Sequence, residues 1–286
     1  MKTSTEIASA AKLVGEAKAI ELIAKAGFDA WDFSMFSMAR YDRANMRLFE
    51  SDHPLHGSEY RSFAKELRKI GLECGIVCNQ SHAPFPVCYK EIRDYLKRAI
   101  ECTAIAGGDT CIIHPNNDKG PLENSEMYFE LLPFAKEHGV RIATENMWNW
   151  DTERDVALPA ACSHHDDFLA HIKAVNDPYF VACLDIGHAE MRGLNTTAKD
   201  MILTLGESLA ALHIHDNDRH YDSHQIPFSM QIDFLGVVSA LKEINYSGYF
   251  TLEADAYLGG FTKETAELGI KNLADSARRL ADMFEA

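Results

Sequence analysis

The sequence predicts an α/β fold, a single-domain (β/α)8 TIM barrel spanning residues 1–286, and three observations carry that expectation. Glycine followed by a short, apolar, β-rich run recurs along the 286 residues. Amphipathic stretches of helical period lie between these runs. No Pro/Gly/Ser-rich linker or low-complexity tract divides the chain. Glycine after a helix tolerates the left-handed backbone of a C-cap, and short, nearly continuous apolar runs suit parallel strands covered on both faces. Strands alternating with helices imply βα units. A doubly wound open sheet is the competing architecture. Eight regular units, with no GxGxxG after the first strand, favour closure.

Taken in order, the first strand is expected at 3–8. "AGFDAWDF" places the second at 28–33, "IGLECGIVC" the third at 73–78 and "AGGDTCIIH" the fourth at 109–114. "HGVRIATE" gives the fifth at 140–145. In "NDPYFVACLD", Asp-Pro replaces the glycine before the sixth, at 180–185. "ALHIH" ends the seventh at 210–215, and "YSGYFTLE" supplies the eighth at 248–253. Helical period is clearest in "YKEIRDYLKRAIECTAIA" (89–106) and "FLGVVSALKEI" (234–244).

The composition, 47% hydrophobic and 25% charged, is that of an ordinary globular chain with ample core material. A net charge of −15 argues against non-specific binding to nucleic acid or to an anionic membrane. "MKTSTEIASA" has no apolar h-region and no run approaches membrane-spanning length, so neither leader nor span is expected. Seven cysteines form no CxxC pair and several sit in apolar runs. They read as free thiols in a reducing cytoplasm. A homo-oligomer is compatible with all of this.

The residues that close the apolar runs are the chemical signal. His82, His114, Glu145, Asp185, His213 and Glu253 follow one another at intervals of 28 to 40 residues, about one βα unit each. In a barrel all such strand ends meet on one face. Carboxylates and imidazoles gathered there repel or go unsatisfied unless a cation sits among them. Singly, each is an ordinary rim residue; together, in one phase, they point to a metal site. Carboxylate and imidazole ligands without thiolates suit Mn²⁺, Zn²⁺, Co²⁺ or Fe²⁺. Glu145, Asp185, His213 and Glu253 are the expected ligands. Such an ion polarises a carbonyl and an adjacent hydroxyl, and Glu145 and Glu253 then serve as proton carriers around an enediolate. His82, His114, His188, Asp222 and His224 extend the set to as many as three ions, an arrangement that activates water against a phosphodiester. Composition leaves that fork open.

At these residues the chain resembles the xylose-isomerase-like TIM-barrel superfamily, in "HAPF" (His82), "HP" (His114), "EN" (Glu145), "LDIGH" (Asp185, His188), "HIHD" (His213), "DSH" (Asp222, His224) and "LEAD" (Glu253). The superfamily holds sugar and sugar-phosphate isomerases and epimerases, and the abasic-site endonuclease IV. In its epimerase-like members, residues matching Glu145, Asp185, His213 and Glu253 hold one metal, and those matching His188 and Arg219 contact substrate. In endonuclease IV, all nine acidic and histidine positions hold three zincs. The resemblance thus implies a carbohydrate substrate, with abasic DNA as the alternative. His215, two residues beyond His213, faces the same side of the strand and is expected in the pocket. Trp148 is expected as an apolar wall or a cap. The endonuclease pattern continues past Asp-x-His with a glycine-rich turn; here "QIPFSMQIDF" follows instead. Arg40, Arg43 and Arg47 with Tyr41 form the best candidate for a DNA-facing loop, but Asp42, Glu50 and Asp52 blunt its charge. A metal-binding barrel with a sensory or scaffolding role is the non-catalytic reading.

Overall fold

Eight parallel strands line the centre of the computed structural model, which describes residues 1–42, 44–45 and 47–286. They are β1 (Thr3–Thr5), β2 (Ala30–Ser34), β3 (Val77–His82), β4 (Thr110–Ile112), β5 (Arg141–Glu145), β6 (Phe180–Asp185), β7 (Leu209–His213) and β8 (Phe250–Leu252). Strands β2 to β7 pair in chain order, and β1 pairs with β8. Single bridges between Glu6 and Asp32, and between Ile214 and Leu252, join the two pieces at both seams. At the first seam the Ile7 amide donates to the Asp32 carbonyl at 3.2 Å, and at the second the Glu253 amide donates to the Ile214 carbonyl at 3.0 Å. The cylinder is closed.

Alternation along each strand divides the side chains between two environments. Outward residues such as Trp31, Phe33, Phe180, Leu184, Leu212 and Phe250 bury themselves against Ile20, Leu67, Ile100, Leu131, Ile202 and Leu241 of the surrounding helices. Inside the barrel, Ile112, Ala143, Val181, Cys183 and Ala211 form a small apolar plug. Register carries that inward face up to the chemistry. Cys183 pairs with Glu145, and Asp185 pairs with His213, so the acids and imidazoles stand directly above the plug.

The expected sixth strand is reproduced to the residue, and the others shift. The third lies four residues later than expected, because the helix Tyr60–Glu73 runs to Glu73 and Gly75 makes the turn at φ 81°. The polar stretch "NQSH" is strand too, since Gln80 and His82 face a polar barrel interior. His82 is therefore the last residue of β3 and not a loop residue beyond it. The first strand ends at Thr5 and a helix begins at Ala8. The helix expected from 89 begins at Arg93, after a 3-10 turn over Lys90–Ile92. Two antiparallel hairpins were not expected: Tyr41–Asp42 with Arg47–Leu48, and Trp148–Asp151 with Val156–Pro159. Both sit in loops over the rim. Among the described residues no helix is long and apolar enough to cross a membrane, and the seven cysteines are free.

Candidate metal centre and active site

A cavity of about 680 Å³ opens at the C-terminal rim of the barrel, on the face where βα loops can build a site. Of the residues singled out above, His82, His114, Glu145, Trp148, His188, Asp222, His224 and Glu253 line it. Asp185, His213 and His215 lie beneath, fully buried.

These side chains form two adjoining nests. In the first, His213 Nδ1 faces Glu145 Oε1 at 2.9 Å and Glu253 Oε2 at 3.5 Å, and its Nε2 faces Asp32 Oδ2 at 3.5 Å. His82 Nδ1 stands 3.2 Å from Glu253 Oε1, and His114 Nε2 stands 3.1 Å from Glu145 Oε2. In the second, His188, His215, Asp222 and His224 each offer a ligand atom, and these atoms lie within 4.8 Å of one another. His188 Nε2 and His224 Nε2 both lie 3.1 Å from Asp222 Oδ2. His215 stacks on His224 with ring centroids 3.8 Å apart.

Asp185 joins the nests differently from the sequence expectation. Among the described residues it pairs with His215, at 3.1 Å, and with His188, not with His213. Its Oδ1 also accepts the His188 amide at 2.7 Å, which caps the short helix Ile186–Ala189. Gly187 lets His215 approach: a β-carbon there would stand 1.9 Å from the imidazole.

The residues fit a metal ion. Buried polar groups are almost always hydrogen-bonded, yet Glu145 Oε2, Asp185 Oδ2, His213 Nε2, His215 Nε2 and Asp222 Oδ1 are buried with no hydrogen-bond partner. Several of these atoms have a neighbour near 3 Å: Glu145 Oε2 has His114, and His215 Nε2 has Asp185. They do not aim at that neighbour. Buried oxygens and imidazole nitrogens that lie within 4.8 Å of one another without hydrogen-bonding are satisfied by a cation among them. The donor set holds oxygen and imidazole nitrogen, with one thiol, Cys183, beside Glu145 and His213.

Electrostatics carry the same message. Burial favours the neutral form of every group here, and the opposite charges overcome it. Burial works against the charged imidazole of His213, but Cys183, Glu253 and Glu145 raise it well above its ordinary value. His188, likewise buried, is pushed up to about 10 by Asp185 and Asp222. Glu145 is held well below the usual carboxylate range by His213 and His114 against its burial, and Asp222 by His188 and His224. His114 goes the other way: burial, with the charge of His82, lowers it. The nests hold protons on imidazole to balance the acids, a balance that a divalent ion supplies directly.

A family model for the xylose isomerase-like TIM barrel matches residues 20–283. The chain belongs to that family. MJ1311 of Methanocaldococcus jannaschii, a protein of uncharacterised function, is 23% identical over 255 residues, covering 82% of this chain and 77% of its own. Among solved structures, a D-tagatose 3-epimerase-like protein superposes with a TM-score of 0.71 at 21% identity, covering 100% of this chain and 97% of its own. IolI, crystallised with a zinc atom, gives 0.70 at 18% identity, covering 100% and 98%. At these identities the likeness to the solved structures is one of fold.

Not every expected residue reaches this xylose isomerase-like site. Arg219 does not line the cavity; its guanidinium lies 3.4 Å from Glu190 Oε2. Trp148 does, and its indole N–H donates to Asp222 Oδ2 at 3.2 Å, so it is wall and support at once. His220 faces Asp155 at 3.1 Å. In the arginine loop, Tyr41 stacks on Tyr89 and Arg43 lies outside the described residues. Three contributors went unread: Asp32, Glu6 and the aromatic pair Phe36 and Phe85. Glu6 had a visible signal, an acid at the end of the first strand in the same phase as Glu253 at the end of the eighth. The Phe36 and Phe85 rings meet edge to face across two loops, which no local pattern marks.

Proposed function

We propose that this chain is a divalent-metal-dependent sugar isomerase or epimerase in which Glu145 and Glu253 carry protons to and from the substrate. The observation that carries the reading is the placement of these two carboxylates. Both line the cavity, and both are tied from below to one imidazole, His213. Two acids around one bound carbon are what inversion requires: one removes a proton, an enediolate follows, and the other returns a proton to the opposite face. Sugar epimerases among the fold neighbours support the same chemistry.

Glu145, Asp185, His213 and Glu253 are proposed to hold the ion, with His215 added because its Nε2 is the imidazole nitrogen that reaches Asp185. That the fold neighbour IolI binds zinc supports a divalent ion here; Mn²⁺ and Co²⁺ suit the same ligands. The chemistry a divalent ion supplies there is polarisation of a carbonyl and its neighbouring hydroxyl. His188 and Trp148 lie on the same wall and orient the sugar, while Phe36 and Phe85 cover an apolar face of it. A cytoplasmic location suits the free thiols.

A hydrolytic reading draws on the second nest, since His188, His215, Asp222 and His224 offer enough donors for a further ion. The cavity wall argues for the first reading. Glu6, Asp118 and Asp255 join Glu145, Asp222 and Glu253 in lining it, and the described lining residues include no Lys or Arg, so a phosphodiester meets mostly negative charge. The experiment is a panel of ketoses in D2O, run beside an abasic duplex. Ketose inversion with deuterium at the inverted carbon is expected. Strand incision without sugar turnover overturns the reading.

A further inference from the structure

Glu6, Asp118 and Asp255 are acids of the cavity wall that the two metal nests do not use, and of the three Glu6 alone is buried. It follows β1, directly at the seam where the barrel closes on β2, and is 4% exposed. Its Oε2 accepts the Ser9 amide at 3.0 Å and the Ser34 hydroxyl at 3.4 Å, and Oε1 accepts the Ser9 hydroxyl. These bonds hold the carboxylate rigidly from behind, at the start of the helix Ala8–Val14. The Ser9 amide also reaches Oε1, at 3.3 Å, and the carboxylate lines the cavity together with Glu253 and Asp255. A capping role alone does not need a glutamate here. Serine, threonine or aspartate close a helix start at the surface, whereas this carboxylate is buried at the mouth of an acidic bowl, where its charge is costly.

We propose that Glu6 is a specificity-determining residue that accepts a hydrogen bond from a hydroxyl of an uncharged sugar and turns away phosphorylated sugars. This rests on the sugar reading of the same site and deepens it. Fixed by Ser9 and Ser34, the group is a preorganised acceptor for a hydroxyl, and above about pH 7, where it ionises, a charged acceptor makes the stronger bond. The same carboxylate, with Asp255 and Asp118 around the mouth, repels a phosphate dianion. The uncharged side of the recognition is at hand: Asn116, Asn117 and Asn149 line the opposite wall and offer amide donors and acceptors for further hydroxyls.

The test compares the wild type with Glu6→Gln, at matched metal content and at a pH above about 8 where Glu6 is ionised, by calorimetric titration with D-tagatose and fructose 6-phosphate, followed by steady-state kinetics on D-tagatose. In E6Q, D-tagatose binding is expected to weaken by about tenfold or more, with kcat within about threefold of wild type and metal content unchanged. The preference of the wild type for D-tagatose over the phosphate is expected to narrow in E6Q. Should E6Q fail to fold, Glu6→Asp keeps the charge but withdraws it by one methylene, and the same weakening is expected. Equal binding of D-tagatose by the folded variant and the wild type overturns the role of Glu6 while leaving the sugar reading intact. Binding that depends on Glu6 but yields no turnover overturns the isomerase reading and keeps Glu6. No wild-type binding to D-tagatose, D-allulose or D-fructose overturns both.

Discussion

The imidazoles of His82 and His114 meet Nε2 to Nε2 at 2.7 Å. Two nitrogens this close must share one proton or one cation, because two N–H groups repel and two bare lone pairs do the same. Glu145 Oε2 lies within 3.7 Å of both and has no hydrogen-bond partner of its own. The geometry is therefore that of donor atoms gathered around a positive charge. Purified protein loaded with Mn²⁺ or Zn²⁺ is expected to hold at least one ion per chain by elemental analysis. Glu145→Gln and Asp185→Asn should each weaken that affinity by about 10- to 100-fold or more. His215→Ala should do the same, despite lying outside the ligand set that the sequence suggests. Unchanged metal content in all three variants removes the centre.

Glu145 and Glu253 share His213 yet act on opposite faces of a substrate carbon in the proposed reaction. At matched metal occupancy, removing one carboxylate should then cost about 10²- to 10⁴-fold in kcat, without a matching loss of sugar binding. The two variants are distinguishable in D2O. The acid that remains still exchanges the proton on its own face, so one of E145Q and E253Q should incorporate deuterium without inversion. Inversion at wild-type rates in either variant dismisses the pair as proton carriers.

The barrel and most of the rim were legible because each rests on a local regularity. The glycine before each apolar run, and a polar residue closing it, repeat once per βα unit. Phase alone then brings Glu145, Asp185, His213 and Glu253 to one end. What phase cannot give is the rotation of neighbouring side chains about that end. Asp185 and His213 are register partners across β6 and β7, yet Asp185 turns to His215, two residues further along. That choice depends on Gly187, whose missing β-carbon makes room for the His215 ring. The hairpin Trp148–Asp151 with Val156–Pro159 went unread because its strands are four residues long and half-buried. Arg219 is the reverse case, read from a motif and standing outside the cavity lining. Its motif position matches substrate-binding arginines of the superfamily, while its guanidinium lies 3.4 Å from Glu190.

Metal affinity should climb with pH well past neutrality. His188 is buried, which opposes its charge, but Asp185 and Asp222 push it up to about 10, and His224 is raised well above its ordinary value by Asp222. An imidazole must lose its proton to ligate, so each protonated ligand that binds releases one. Affinity for an ion in the second nest then rises by about tenfold per pH unit per proton released, from pH 6 toward 9. Calorimetry in buffers of differing ionisation enthalpy counts these protons. Flat affinity between pH 7 and 9, with no proton release, means the imidazoles are already neutral.

Glu6 is expected to hold the fold back at alkaline pH. Burial, first, and then the charges of Asp255 and Glu253 outweigh its bonds from Ser9, and its carboxyl is pushed up from 4.5 to about 7. The folded chain therefore keeps a proton that the unfolded chain releases as pH rises above 4.5. With more protons bound in the folded state, stability falls as pH rises, and the loss is complete only once pH passes about 7. The shift corresponds to about 3 kcal/mol. Glu6→Gln cannot ionise and escapes this term, although it loses part of the Ser9 bonding at every pH. The melting temperature of E6Q relative to wild type should accordingly rise by several degrees, on the order of 5 °C, between pH 5 and pH 8. A difference that stays constant across that range shows Glu6 ionising as freely in the barrel as in the unfolded chain. The same substitution is expected to weaken sugar binding, so a variant that gains alkaline stability while losing D-tagatose marks Glu6 as a residue kept for recognition at the expense of the fold.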